Sequence, residues 1–203
     1  MASRVEEFDE VILHHAKKEF LEKGFNDASL RTIAGNAGVS TSTIYTRYVD
    51  KEGLFRYLVA PASEGMIDYI GQSLNSFEVL PADEQPARRD EFSDRGFDGL
   101  IDLLYQYYDE FKLLVTCAPP YFYQEFLEQI VALDMECTKI FLQSVHCPAY
   151  ENGEISNGFL HVVSSAFYAG VFEVVVHDMP RKEAETYINM LRKFYNSGWK
   201  DYF

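Results

Sequence analysis

Apolar residues recur every three or four positions along most of this chain, and long alternating runs of β-branched residues are absent. Such a spacing places the apolar side chains on one face of an α-helix. The first predicted helix begins near Ser3 and presents an apolar stripe made of Val5, Phe8, Ile12, Ala16 and Phe20. Gly24 is expected to end this helix, because glycine readily adopts the left-handed conformation found at helix C-termini. The pattern predicts an all-α protein.

Two short helices follow, over about residues 30–36 and 40–45, with a tight turn at Gly38. A longer helix begins after Asp50, which is a good N-cap, and Pro61 is expected to kink or end that helix. Two short helices joined by a tight turn, with a long helix on each side, form a helix-turn-helix unit.

The rest of the chain predicts a larger helical domain. Its polar segment 80–96 contains two prolines and indicates a connection or a frayed helix start, and residues 148–154 indicate a loop. Strong helical stripes cover residues 97–116, 123–146, 155–177 and 181–200. We therefore divide the chain into a helix-turn-helix domain over residues 1–50, with its motif at 29–48, a linking helix over 51–79, and a larger helical domain over 80–203.

The charge of the chain is strongly uneven along its length. The net charge is −14, but residues 1–60 carry 8 Lys and Arg against 9 Asp and Glu, a net −1. Within residues 29–51 the basic residues are Arg31, Arg47 and Lys51 and the only acidic residue is Asp50, so this segment has a net positive charge. An acidic remainder would repel DNA, which favours DNA contact through one small face around the helix-turn-helix.

The composition, 47% hydrophobic and 25% charged, is that of a globular protein. The acidic start does not look like a signal peptide. No stretch reaches eighteen apolar residues without a charged one, so no membrane span is expected and the protein is expected to be cytoplasmic. The cysteines, Cys117, Cys137 and Cys147, are odd in number and lack C-x-x-C spacing. They are interpreted as free thiols, with a redox switch or a metal site as alternatives. We expect no metal and no cofactor.

The residues of the helix-turn-helix have distinct predicted roles. Ile33, Ala34, Val39 and Ile44 face inward and form a small core, while Gly38 permits the turn. The exposed side chains of the second helix are mostly small hydroxyls, which can reach base edges or phosphates in a major groove. Arg31 adds a positive charge on the first short helix. The candidate DNA-binding residues are Ser29, Arg31, Thr41, Ser42, Thr43, Tyr45, Arg47, Tyr48 and Lys51.

The run from Phe20 to Phe55, which contains K-G-F, S-L-R-T-I-A and A-G-V-S-T-S-T-I-Y-T-R-Y-V-D-K-E-G-L-F, resembles the DNA-binding domain of TetR-family regulators (TetR/AcrR type). The resemblance implies a recognition face made of Thr41, Ser42, Thr43, Tyr45 and Arg47. It also implies phosphate contacts from Ser29, Tyr45, Tyr48 and Lys51. Ser42 replaces the family's common glycine and Tyr48 its common phenylalanine, so Tyr48 is either a phosphate contact or a core residue.

The last two predicted helices indicate a dimer interface, as the resemblance also implies. An almost wholly apolar helix has to be buried on more than one side, and two helices from each subunit would achieve this. Burial within the protomer is the alternative. The candidate interface residues are Phe159, Val163, Ala166, Phe167, Gly170, Val174, Tyr187, Leu191 and Tyr195.

Aromatic residues cluster in sequence around the predicted junction between two helices of the larger domain. An aromatic cavity between helices would suit an apolar or cationic small molecule, although such a stripe is also typical of plain core. The candidate ligand-binding residues are Tyr105, Tyr108, Phe111, Tyr121, Phe122, Phe126 and His161.

These patterns predict a homodimeric repressor that binds a pseudo-palindromic operator in double-stranded DNA and is released by a small-molecule effector. The alternative is an all-helical small-molecule-binding protein or enzyme with a non-functional helix-turn-helix. No nucleophile–base pairing, metal-ligand spacing or phosphate loop is present in the sequence, which argues against an enzyme.

Overall fold

A computed structural model describes residues 4–81 and 84–199 of the chain. In those ranges the chain is almost entirely helical and contains no β-strand, so the predicted all-α fold is confirmed. In chain order the helices are α1 (Arg4–Asp27), α2 (Leu30–Asn36), α3 (Thr41–Tyr48), α4 (Lys51–Glu78), α5 (Gln85–Gln106), α6 (Tyr108–Lys112), α7 (Pro120–Ser144), α8 (Pro148–Glu151), α9 (Asn157–Val176) and α10 (Arg181–Trp199). A π-helical segment, Leu113–Cys117, follows α6.

The helices form two compact units. The N-terminal unit comprises Met1–Glu64 and Tyr107–Tyr123, and the C-terminal unit comprises Gly65–Gln106 and Gln124–Phe203. The sequence patterns did not anticipate that residues 107–123 would join the N-terminal unit. The boundary between the units falls inside α4, where the sequence predicted a linking helix.

Aromatic packing explains how residues 107–123 join the N-terminal unit. Phe20 and Phe55 are fully buried, and their rings meet edge to face with centroids 5.1 Å apart. Phe122, at the start of α7, packs against Phe55 with centroids 5.2 Å apart and against Phe25 at 6.0 Å. Burial of such rings is among the larger stabilising contributions in a small core. The helix-turn-helix therefore shares its core with a segment far away in sequence.

Of two predicted helix ends, the structure agrees with the one at Gly24 and not with the one at Pro61. Gly24 has φ 72° and ψ 170°, which interrupts α1 near the predicted C-terminus. By contrast, α4 continues through Pro61 to Glu78, so the expectation that Pro61 ends the helix is wrong. Pro61 lies on the exposed side of α4, where water can reach the carbonyl that loses its N–H donor. Most of the predicted connection over 80–96 is also helical, since α5 begins at Gln85.

The C-terminal unit is built around α9. Its buried residues include Leu160, which joins a core cluster with Leu142, Cys147 and Ile155. By length and composition alone α9 is also apolar enough to cross a membrane, which the sequence analysis did not expect. The Tyr105 hydroxyl donates to the Met179 carbonyl at 2.6 Å and holds α5 near the start of α10. None of Cys117, Cys137 and Cys147 forms a disulfide.

Candidate nucleic-acid interface and ligand cavity

Hydroxyl groups cluster at the N-terminus of α3. Ser40 is the N-cap, and its Oγ accepts a hydrogen bond from the Thr43 backbone N–H at 3.2 Å. The same Oγ lies 2.7 Å from Ser42 Oγ and 2.9 Å from Thr43 Oγ1. Capping of this kind satisfies a backbone donor that would otherwise lack a partner. Ser40 was not among the predicted site residues, although its position before the helix marks it as a cap.

The side chains of α3 divide cleanly between an inner and an outer face. Ile44 is fully buried, whereas Ser42 and Thr46 are exposed and Tyr45 is 54% exposed. Thr41 and Thr43 are half-buried at the edge of this outer face. A shallow recess on the outer face is lined by Ser42, Thr43, Thr46 and Arg47. The outer face of α3 thus carries five of the nine predicted DNA-binding residues on one surface: Thr41, Ser42, Thr43, Tyr45 and Arg47.

Tyr48 and Arg47 are both tied to Asp9 of α1. The buried Tyr48 donates from its hydroxyl to Asp9 Oδ1 at 2.8 Å, and the Arg47 guanidinium forms an ion pair with the same oxygen. Burial, reinforced by this hydrogen bond, holds the pKa of Tyr48 well above its usual range. Of the two readings of Tyr48, the structure therefore places it in the core, with its hydroxyl already engaged.

Lys51 and Ser29 also have partners inside the N-terminal unit. Lys51 Nζ donates to the Asn26 carbonyl at 2.9 Å and the Ala28 carbonyl at 3.2 Å, and it lies 4.9 Å from the centroid of the Phe25 ring. Ser29 is the N-cap of α2, and its backbone N–H donates to Glu19 Oε1 at 3.1 Å. These contacts fix the α1–α2 connection. Arg31, by contrast, is exposed on α2.

The turn between α3 and α4 is unusually tight. Val49 has φ 70° and ψ −54°, and the Asp50 N–H donates to the Tyr48 carbonyl at 2.8 Å. This is a γ-turn with positive φ, a strained conformation for a β-branched residue. A Cβ on Gly53 would lie 1.9 Å from the Tyr48 oxygen, so only glycine fits there. As predicted, Asp50 caps α4 by accepting from the Gly53 N–H at 2.8 Å.

A cavity of about 260 Å³ lies within the C-terminal unit, between α4, α5, α7, α9 and α10. Aromatic side chains make up much of its wall. These are Tyr69, Phe77, Phe97, Phe141, Phe167, Tyr168, Tyr195 and Trp199. Because the rings of the cavity wall come from five helices, no local stretch of sequence predicts the cavity.

None of the seven predicted ligand-binding residues lines this cavity. In the N-terminal unit, Phe111 is fully buried, Phe122 belongs to the aromatic core, and the Tyr121 hydroxyl donates to Glu52 Oε2 at 3.0 Å. The remaining four fill other places: Tyr105 bonds to Met179, Tyr108 is half-buried, Phe126 packs on Phe172, and His161 is exposed. These aromatic residues are thus close in sequence but lie on different helix faces and in different units of the structure.

One acidic and one basic side chain line the cavity, Asp134 from α7 and Arg192 from α10. Asp134 Oδ2 accepts from the Ser164 hydroxyl at 2.5 Å, and Oδ1 accepts from the Tyr168 hydroxyl at 3.3 Å. Burial raises the pKa of Asp134, although these two hydrogen bonds act in the opposite direction. Arg192 is also buried, with Nη2 3.5 Å from Asn189 Oδ1 of its own helix.

The outer surfaces of α9 and α10 carry exposed apolar side chains. Phe194 is 77% exposed, Met190 67% and Val162 63%, while Phe159 and Ala166 are also exposed. We call these five residues the α9–α10 patch. The predicted interface residues include Phe159 and Ala166 of this patch but not Val162, Met190 or Phe194.

Several predicted interface residues face the interior of the protomer instead. Val174 is fully buried, and the Tyr187 hydroxyl donates to the Gly170 carbonyl at 2.9 Å. Leu191 packs on Gly170, where an added Cβ would lie 3.1 Å from its Cδ2. Three further residues of the predicted set, Val163, Phe167 and Tyr195, line the cavity. Small and apolar residues on α9 therefore serve the α9–α10 contact within the protomer, and only Phe159 and Ala166 of the predicted set lie on the α9–α10 patch.

Residues 12–58 match the model of the family described as bacterial regulatory proteins, tetR family, so the predicted resemblance is confirmed. No curated protein matches the chain in sequence. The fold is similar to that of a TetR-like transcriptional regulator from Rhodococcus sp. RHA1, with a TM-score of 0.57, 16% identity, and coverage of 95% of this chain and 96% of that one.

It is also similar to the TetR-family regulator PfmR from Thermus thermophilus, with a TM-score of 0.56, 18% identity, and coverage of 89% and 96%. A third similar structure is NalD, the secondary repressor of the MexAB-OprM multidrug efflux pump in Pseudomonas aeruginosa. Its TM-score is 0.55 at 18% identity, with coverage of 93% and 95%. The chain thus has a TetR-type DNA-binding domain within the fold of TetR-family transcriptional regulators.

Proposed function

We propose that this chain, with its TetR-type DNA-binding domain, is a homodimeric repressor that binds a pseudo-palindromic operator and is released by a small-molecule effector. The observation that carries the proposal is the outer face of α3. Its hydroxyls and Tyr45 are solvent-facing, while Ile44 and Tyr48 anchor the helix from behind. A helix presented in this way suits entry into a major groove.

The charge distribution supports contact through the helix-turn-helix rather than through the rest of the chain. The segment 29–51 is net positive, whereas residues 61–203 carry 10 Lys and Arg against 23 Asp and Glu. Phosphate neutralisation would therefore come from the helix-turn-helix, chiefly from Arg31 and Arg47. A small number of such contacts predicts a shallow salt dependence of binding.

The α9–α10 patch supports the dimer. Exposed residues as large as Phe194 and Met190 on two adjacent helices are unusual on a monomer surface, and a second copy would remove them from water. A two-fold dimer would present two α3 helices to successive major grooves, about 34–36 Å apart. We place this protein in the cytoplasm, without a cofactor and without catalytic activity.

The aromatic cavity supports control by a small molecule, of the apolar or cationic class. A ligand releases DNA only if it binds more tightly to a conformation that fits the operator poorly, so release would be a shift between two populations. Repression relieved by ligand is the direction we propose. The rival, a helical binding protein or enzyme with an inert helix-turn-helix, shares the cavity but not the DNA binding.

The test is a fluorescence anisotropy titration of the pure protein on the DNA upstream of its own gene, at two salt concentrations. A random duplex of equal length is the control, and Ser42→Glu, on the outer face of α3, is the matched inactive variant. We expect specific binding by two protomers that weakens with salt and is lost in Ser42→Glu. Equal binding of the two duplexes by the unchanged protein would favour the rival.

A further inference from the structure

We infer that the cavity in the C-terminal unit selects a small hydrophobic monoamine, whose ammonium group binds the carboxylate of Asp134. This inference rests on the proposed function, because it names the chemical class of the effector. It goes beyond that proposal in assigning the charge that is recognised and the residue that recognises it.

The side chain of Asp134 is a carboxylate that lies inside the protein and faces the cavity. It is enclosed by α7 and α9, yet it keeps part of its surface on the cavity. Its hydrogen bonds come from two neutral hydroxyls of α9, those of Ser164 and Tyr168. In the described part of the chain no cationic side chain pairs with it, and each carboxylate oxygen retains room for a second donor.

A carboxylate in such a place is costly unless it is paired. Neutral hydroxyls recover only part of the hydration that an ionised carboxylate loses on burial. A bound ammonium group would supply both the missing charge and further N–H donors, and charge-assisted hydrogen bonds are roughly twice as strong as neutral ones. The geometry thus favours a cationic ligand over a neutral one of the same shape.

The walls of the cavity fit the rest of such a ligand. Rings such as those of Tyr69, Phe97 and Phe141 bury apolar surface and attract cations through their faces. The volume of about 260 Å³ lies just below the range of about 300–1,000 Å³ that is typical of sites for drug-sized ligands. The ligand is therefore small, comparable with a single or fused ring carrying a short amine.

The presence of Arg192 further restricts the chemical class of the ligand. Arg192 lines the same cavity from α10, and among the described residues the partners of Asp134 are the hydroxyls of Ser164 and Tyr168. A second ammonium group on the ligand would meet this positive charge in a confined space, so a monoamine is favoured over a diamine. An anionic ligand would in turn bring its charge into a space already occupied by the Asp134 carboxylate.

The experiment is isothermal titration calorimetry of the purified protein, without DNA, with three amines and their matched alcohols. The pairs are 2-phenylethylamine and 2-phenylethanol, tryptamine and tryptophol, and 1-adamantylamine and 1-adamantanol. At least one amine is expected to bind about tenfold more tightly than its alcohol. Asp134→Asn should abolish that preference, whereas Ser164→Ala, which keeps the carboxylate, should retain it.

The outcomes separate this inference from the proposed function. If the alcohols bind as tightly as the amines, or if Asp134→Asn keeps the preference, the amine assignment is wrong while the cavity still binds an effector. If none of the six compounds binds, the assignment is also wrong, and DNA binding is judged by its own titration. Because the comparison of each amine with its alcohol uses the unchanged protein, a folding defect in Asp134→Asn does not remove the test.

Discussion

The hydroxyl of Tyr48, at the end of α3, donates to the carboxylate of Asp9 in α1 across 2.8 Å. The same carboxylate pairs with Arg47, so one acidic side chain holds the last turn of α3. The position of α3 is therefore fixed from the rear by a part-buried polar contact as well as by the apolar packing of Ile44. We expect stability to depend mainly on this inner face of the helix and DNA binding mainly on its outer face.

Tyr48→Phe is expected to lower the stability of the N-terminal unit by about 1 kcal/mol, because Asp9 loses a buried hydrogen-bond donor. Urea unfolding followed by circular dichroism measures this. The exposed Tyr45→Phe is the control and should leave stability unchanged while weakening DNA binding. Unchanged stability in Tyr48→Phe would mean that the hydroxyl contributes nothing to the anchor.

Lys51→Met is expected to destabilise the protein by about 1 kcal/mol as well as to weaken DNA binding. The substitution keeps the apolar stem beside Phe25 but leaves the Asn26 and Ala28 carbonyls without the Nζ donor. Thermal unfolding and DNA titration on the same samples separate the two effects. If only DNA binding changed, Lys51 would act mainly on phosphates, as the sequence alone suggested.

Val49→Gly is expected to stabilise the protein. Removing the side chain relieves a positive-φ strain of about 1–3 kcal/mol, which exceeds the roughly 0.5–1 kcal/mol entropic cost of glycine. Val11→Gly, at an exposed position of helical α1, has no strain to relieve and should destabilise. Denaturant midpoints of both variants decide the matter, and a loss of stability in Val49→Gly would contradict the strained turn.

Asp134→Asn is expected to stabilise the ligand-free protein by about 1–3 kcal/mol at neutral pH. Burial raises the folded-state pKa of Asp134 above its ordinary 3.8, so the native state binds its proton more tightly than the unfolded chain does. Its destabilising effect is absent below pH 3.8 and grows as the pH rises through the folded pKa. Stability curves of both proteins should therefore diverge with increasing pH, and a constant difference would contradict the shift.

If the protein forms the proposed dimer, Phe194→Glu is expected to yield monomers, because a charge in the α9–α10 patch would be buried without a partner on association. Val79→Glu is the matched control, since Val79 is 82% exposed but lies outside the patch, just after α4. Sedimentation velocity over a range of concentrations reports the oligomeric state. A dimer that survives Phe194→Glu and yields to Val79→Glu would place the interface elsewhere.

Local features of the fold could be predicted from the sequence because short-range chemistry determines them. Gly38 adopts φ 68° and Asp50 caps α4, both as expected from residue type and position. The cavity could not be predicted, since its walls come from five helices and Asp134 meets Ser164 only across 30 residues of chain. The sequence also cannot show which side of an apolar helix such as α9 faces its own protomer.

The hydrophobic core of the C-terminal unit is complete within one chain, as Leu142, Cys147, Ile155 and Leu160 show, while the α9–α10 patch is left outside it. Folding and pairing are then separate events, the first independent of concentration and the second bimolecular. At low abundance the number of pairs grows as the square of the number of chains. For a dimeric repressor of this design, a twofold change in expression would change operator occupancy by about fourfold while most operators are empty, so a repressed gene would respond to small changes in repressor level.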